Sequence, residues 1–257
     1  VHDPQPAHAH GRGERDRDIW VFKGIRYGAD TKPNRFMPPR PPESGRGDEP
    51  NRYGPASPQP RPDEPVSEDC LFLNVWTPST TEGRRPVMVY IHGGAYARGS
   101  GSSPLYDGVN LCRRGEVVVV TINHRLSAFG YLYLARLGEA SLADSGNVGM
   151  LDLVQALRWV RDNIANFGGD PKRVMLFGQS GGGAKIATLM AMPAAHGLFH
   201  RAATMSGQQL TASGPFNATQ RALALLDALK IPPQRLDRLR TMPHEEIIAA
   251  LDTVDPI

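Results

Sequence analysis

The chain has 257 residues, 40% hydrophobic and 21% charged, with a formal net charge of +3. That balance is ordinary for a globular chain, and no run near 18 apolar residues offers a membrane span. Basic and acidic residues interleave, as in Arg15-Asp16-Arg17-Asp18, so no nucleic-acid surface is expected, and two cysteines make a disulfide framework unexpected.

Residues 1–18 are rich in His, Arg and Asp and are expected to be disordered. They hold no apolar segment of signal-peptide type, so a cytoplasmic location is expected; a segment upstream of Val1 would leave secretion or a periplasmic location open. Residues 33–65 carry 11 of the 23 prolines and are expected to form an irregular surface loop. Strands are then expected at 71–77, 87–91, 117–123, 174–177 and 201–205. A helix over 151–166 repeats Leu153, Leu157, Val160 and Ile164 on one face. Further helices follow at 218–229, 235–241 and 244–252. Strands separated by helices predict an α/β protein, with a mostly parallel sheet and helices on both faces. Cys70 and Cys112 are expected to be inert core residues.

Two motifs carry chemistry. Val174 to Phe177 runs into Gly178-Gln179-Ser180-Gly181-Gly182, and a helical pattern of small residues follows at once. With 27 glycines in the chain a bare G-x-S-x-G is weak, but its place between a strand and a helix makes it a nucleophile elbow. Side chains two positions either side of Ser180 would collide in so sharp a turn. The second motif ends the 87–91 strand: His92-Gly93-Gly94-Ala95. Attack on an ester carbonyl creates an oxyanion, which backbone N–H groups must meet at hydrogen-bond distance, and small residues permit that approach. The donors expected are Gly94, Ala95 and Gly181.

Ser67-Glu68-Asp69-Cys70-Leu71-Phe72-Leu73-Asn74 resembles the signature of type-B carboxylesterases, the group of bacterial and animal carboxylesterases and cholinesterases. Asn123-His124-Arg125-Leu126, Gly146-Asn147-Val148-Gly149 and Asn163-Ile164-Ala165-Asn166-Phe167-Gly168-Gly169-Asp170-Pro171 occur in the same family order. The resemblance implies the α/β-hydrolase fold over 19–257, with a helical cap beginning near 214. It implies a serine acyl-enzyme that hydrolyses a small-molecule carboxylic ester with no cofactor and no metal. It also implies two structural ion pairs, Arg35 with Glu68 and Arg125 with Asp152.

There are departures. Gln179 stands where Glu is frequent, Arg26 where Pro is common and His124 where Tyr is common. An upstream cysteine to pair with Cys70 is absent, which fits a bacterial-type member. The largest departure is downstream. A triad needs an acid and then a histidine after the serine, and only His196, His200 and His244 follow Ser180. All three read as structural or surface residues, so the chain is expected to be the N-terminal half, truncated after the elbow region. A non-catalytic adhesion or scaffold relative, or an inactive truncated product, is the alternative; retention of both the serine and the oxyanion loop argues against a dead relative. Neither acyl and alcohol preference nor oligomeric state is encoded legibly.

Overall fold

In the computed structural model, residues 13–42, 51–81, 83–138, 140–209 and 211–252 are described. Seven strands form one sheet: β1 (Glu14–Asp16), β2 (Ile19–Arg26), β3 (Phe72–Thr77), β4 (Arg85–Ile91), β5 (Val118–Ile122), β6 (Gly169–Gln179) and β7 (Arg201–Met205). Their order across the sheet is β1-β2-β3-β5-β4-β6-β7. The strands β5, β4, β6 and β7 are mutually parallel, while β1, β2 and β3 add in alternating antiparallel fashion.

Strand periodicity decides which residues face which layer. On β5, Val118, Val120 and Ile122 join one apolar cluster, and Val119 joins another across the sheet. The first cluster takes in α3 (Val148–Asn163) through Leu153, Leu157 and Val160, and α4 (Gly181–Ala191) through Ile186 and Leu189. The second packs α1 (Val109–Gly115), through Val109 and Cys112, against Trp76 and Ile19. Helices therefore cover both faces. Cys70 and Cys112 are both buried and unbridged. No helix among the described residues is long and apolar enough to cross a membrane.

A third cluster joins α2 (Ser127–Tyr131) to the C-terminal helices α5 (Pro215–Ala228), α6 (Leu236–Thr241) and α7 (His244–Ala249), with Phe36, Phe129, Leu225, Leu239 and Ile247 at its centre.

The structure departs from expectation in four places. Positions 1–12 of the expected disordered segment lie outside the described residues, but Glu14–Asp16 is an ordered strand paired with β2. The β2 strand itself escapes a periodicity reading because a bulge between Phe22 and Ile25, at Gly24 with φ 67°, switches the buried face midway. The β6 strand begins at Gly169 rather than 174; Asp170-Pro171 looks like a turn, yet it lies at a register shift against β4, where proline is tolerated. Nor is 33–65 simply surface. Residues 43–50 lie outside the described residues, but Phe36, Ser57 and Gln59 are buried. Gln59 is satisfied by donating to the carbonyls of Ser57 and Gly99 and accepting from the Gly99 N–H at 2.7 Å.

Two buried arginines tie these layers. Arg125 Nε donates to Asp152 Oδ2 at 2.8 Å, Nη2 to Oδ1 at 2.6 Å, and Nη1 to the Met37 carbonyl. Asp152 is fully buried and Arg125 nearly so. Arg35 makes a bidentate pair with Glu68 and also donates to the carbonyls of Leu239 and Met242 at the end of α6. One guanidinium thus joins the proline-rich segment, the β3 approach and the C-terminal helices. It satisfies carbonyls that a helix end leaves free. Removing one member strands the other charge, so Asp152→Ala is expected to cost about 3–5 kcal/mol. Urea unfolding of the substituted and parent chains checks this; a loss below about 1 kcal/mol would mean the pair does not carry this role.

Candidate active site

Ser180 sits between the end of β6 and the start of α4, with φ 55° and ψ −124°. That conformation is strained for a side-chain-bearing residue, so the surroundings must hold it. Its N–H donates to the Met205 carbonyl on β7 at 2.7 Å, and its carbonyl accepts from Ala184 N–H. The flanking glycines are required by close approach. A Cβ on Gly182 would lie 2.0 Å from the Ile91 carbonyl oxygen, and one on Gly178 would lie 2.7 Å from the same atom. Backbone of β4 fills the space that side chains would need.

The His92–Ala95 loop leaves β4 and packs onto the elbow. A Cβ on Gly181 would meet Ala95 N, Cα and O at 2.4–2.6 Å, and one on Gly93 would lie 3.5 Å from Ser180 Cβ. The structure therefore brings Ser180, Gly94, Ala95 and Gly181 together, although Gly181 follows Ala95 by 86 positions.

Peptide planarity orients the loop's donors. The Gly93 carbonyl is held by His92 Nδ1 at 2.8 Å, so the N–H of Gly94, on the same peptide, points the opposite way. The Gly94 carbonyl accepts from the N–H groups of Ala97 and Arg98, which turns the Ala95 N–H away likewise. Neither the Gly94 nor the Ala95 N–H donates to any of the described residues. Gly181 is the first residue of α4, where an N–H has no intrahelical acceptor and the helix dipole favours negative charge.

Behind this loop lies a buried polar cluster. The imidazoles of His92 and His124 stack with centroids 4.6 Å apart. Lys185, on α4, is buried; its Nζ donates to the Ala95 carbonyl at 2.7 Å and to the His92 carbonyl at 3.4 Å, and lies 5.3 Å from the Tyr96 ring centroid. Burial, and then the neighbouring Lys185, hold His92 down to about 3. The same causes hold His124 well below the ordinary histidine range, and burial brings Lys185 down to about 7. A neutral His92 must carry its proton on Nδ1 to bond the Gly93 carbonyl.

Ser180 Oγ has no hydrogen-bond partner among the described residues. His196 and His200 are exposed on the connection to β7, where His200 Nδ1 accepts from Val174 N–H at 3.2 Å. His244 lies beside Glu245 at the start of α7. Sequence reasoning missed Lys185; its one signal was a lysine set between Ala184 and Ile186 in a helix of small and apolar residues.

A profile of the carboxylesterase family matches residues 9–255. The chain belongs to the carboxylesterase family. It is 43% identical over 254 residues to the para-nitrobenzyl esterase of Bacillus subtilis (strain 168), covering 94% of this chain and 50% of that protein. It is 39% identical to the phenmedipham hydrolase of Pseudarthrobacter oxydans over 90% of this chain and 48% of that protein. The structure of the Geobacillus stearothermophilus carboxylesterase EST55 superposes with a TM-score of 0.90 at 43% identity, covering 94% of this chain and 51% of that one. This carboxylesterase-family chain therefore has the α/β-hydrolase fold and spans about half the length of the relatives it matches.

The buried histidines give a stability prediction with a definite sign. A histidine whose folded pKa lies below its unfolded value binds its proton more readily when unfolded. The histidines' contribution to stability is therefore full above about 6.5 and falls as pH drops below that, towards about 3 for His92, by up to about 1.4 kcal/mol per pH unit for each protonating histidine. Urea midpoints at pH 7, 6 and 5 measure this, and His124→Phe should flatten the slope by one group's share. An unchanged slope would mean that His124 titrates normally.

Proposed function

We propose that this chain carries the nucleophile and the oxyanion hole of a serine carboxylic ester hydrolase. The supporting observation is the Ser180 turn, packed against three backbone N–H groups with no acceptor among the described residues. Ser180 Oγ attacks the ester carbonyl, and the oxyanion is received by the N–H groups of Gly94, Ala95 and Gly181. A donor of this kind contributes about 3–4 kcal/mol in the transition state. A histidine takes the Ser180 proton and passes it to the leaving alcohol; water then attacks the acyl-enzyme and returns the serine. None of the described histidines is placed for that task, so the base, with its orienting acid, is assigned to polypeptide outside the described residues. The segment from about 214, built of α5–α7, is read as the start of a helical cap, and 19–257 as the N-terminal portion of one domain. A small-molecule ester is the substrate class; the name of one relative, a para-nitrobenzyl esterase, points to esters with an aromatic group. The cluster under α2 and the two arginine pairs are architectural.

As isolated residues 1–257, the protein should hydrolyse p-nitrophenyl esters very slowly. A serine without a positioned base is a weak nucleophile, and the oxyanion site alone leaves about 10³–10⁴-fold over water. Turnover typical of a complete esterase, and lost in Ser180→Ala, would show that a histidine within the chain serves as the base. The full polypeptide should be active and Ser180→Ala should silence it; a Ser180→Ala enzyme with parental turnover would end the serine assignment.

A further inference from the structure

The unusual group near the site is Lys185. It is a buried lysine on the elbow helix with no carboxylate partner among the described residues. Burying an ammonium in this way is expensive, so its placement requires compensation. Its hydrogen-bond acceptors are two backbone carbonyls, those of His92 and Ala95. These two carbonyls bracket the peptides whose N–H groups belong to Gly94 and Ala95.

Ala95 needs such restraint. It has φ 54°, a left-handed conformation that is unfavourable for an alanine. A relaxed Ala95 would rotate its flanking peptides and turn its N–H away from Ser180. Two of the loop's carbonyls are already fixed from within the loop, Gly93 by His92 Nδ1 and Gly94 by the turn at Ala97 and Arg98. The Ala95 carbonyl has no such local partner; its short bond is the 2.7 Å contact from Lys185. Because Lys185 lies five residues after Ser180 on the same rigid helix, that bond sets the loop's position relative to the nucleophile.

We propose that Lys185 is a positioning residue for the oxyanion loop: its ammonium ties the carbonyls of His92 and Ala95 to the elbow helix and keeps the Gly94 and Ala95 N–H groups aimed at the carbonyl oxygen of a substrate on Ser180. This rests on the serine-esterase reading above. Lys185 is not the general base, since both of its hydrogen bonds go to the loop and none to Ser180. The titratable groups facing it are His92 at the end of β4, His124 after β5 and Tyr96 in the loop. The two histidines are held neutral, so they neither pair with the ammonium nor compete for the carbonyls it holds.

The test compares parent, Lys185→Met, Lys185→Gln and Ser180→Ala in the full polypeptide. The readouts are kcat and KM for p-nitrophenyl butyrate and the inhibition constant of an aryl trifluoromethyl ketone, whose hemiketal oxyanion probes the hole. Lys185→Met fills the space without a donor. It should lower kcat about 10–100-fold, leave KM within about 3-fold and weaken the ketone by the same factor as kcat. Lys185→Gln, which keeps a donor, should recover part of both losses. Should Lys185→Met fail to fold, Lys185→Gln carries the same split between kcat and KM. Parental kcat and ketone affinity in a folded Lys185→Met enzyme would overturn the proposal while leaving the esterase reading intact. An increase in KM with unchanged kcat would overturn it as well, because that is loss of ordinary binding. A kcat as low as that of Ser180→Ala with parental ketone affinity would place Lys185 in proton transfer and also reject the positioning role. An inactive parent, or an active Ser180→Ala, would bring down both readings together.

Discussion

The site depends on backbone packed against backbone where no side chain intervenes. At the tops of β4 and β6 the chain passes so close to itself that a single Cβ on Gly182 would lie 2.0 Å from the Ile91 oxygen. That closeness, with the Ser180 N–H bonded to the Met205 carbonyl, holds the serine at φ 55°. The same closeness brings the His92–Ala95 loop, which leaves β4, against the first turn of α4. Ser180 and the N–H groups of Gly94, Ala95 and Gly181 are thus placed by one steric fit between two neighbouring parallel strands, and the sheet order β5-β4-β6-β7 makes those strands neighbours.

Charge is distributed in two ways inside this molecule. The Arg35–Glu68 and Arg125–Asp152 pairs are compensated, each arginine spending its remaining donors on carbonyls of a distant segment. They weld loops and helices to the sheet and sit apart from Ser180. Lys185 is the opposite case, a buried cation with no carboxylate partner among the described residues, hydrogen-bonded to carbonyls of the His92–Ala95 loop. An uncompensated charge is costly architecture, and the proposed restraint of the His92–Ala95 loop gives this one an explanation.

The sequence made most of the site legible because its constraints are local. A glycine two residues either side of a serine, or a pair of glycines after a buried strand, leaves a mark within a few positions. The arginine pairs were reached through family resemblance, since nothing in the spacing of Arg125 and Asp152 requires a contact across 27 positions. What stayed hidden was non-local. The β2 strand was masked by its bulge, and the start of β6 by a proline that a register shift accommodates. Burial of Phe36 and Gln59 depends on helices and loops far along the chain. Lys185 went unremarked because its partners are carbonyls contributed from 90 residues upstream and beyond.

The central claim is that Ser180 is the nucleophile and that Gly94, Ala95 and Gly181 supply the oxyanion hole. The most direct measurement is a crystal structure of the full polypeptide after reaction with a p-nitrophenyl alkylphosphonate. The account predicts phosphorus bonded to Ser180 Oγ, with the phosphonyl oxygen about 2.7–3.1 Å from the nitrogens of Gly94, Ala95 and Gly181. An adduct on another residue, or a phosphonyl oxygen turned away from those three N–H groups, would contradict it.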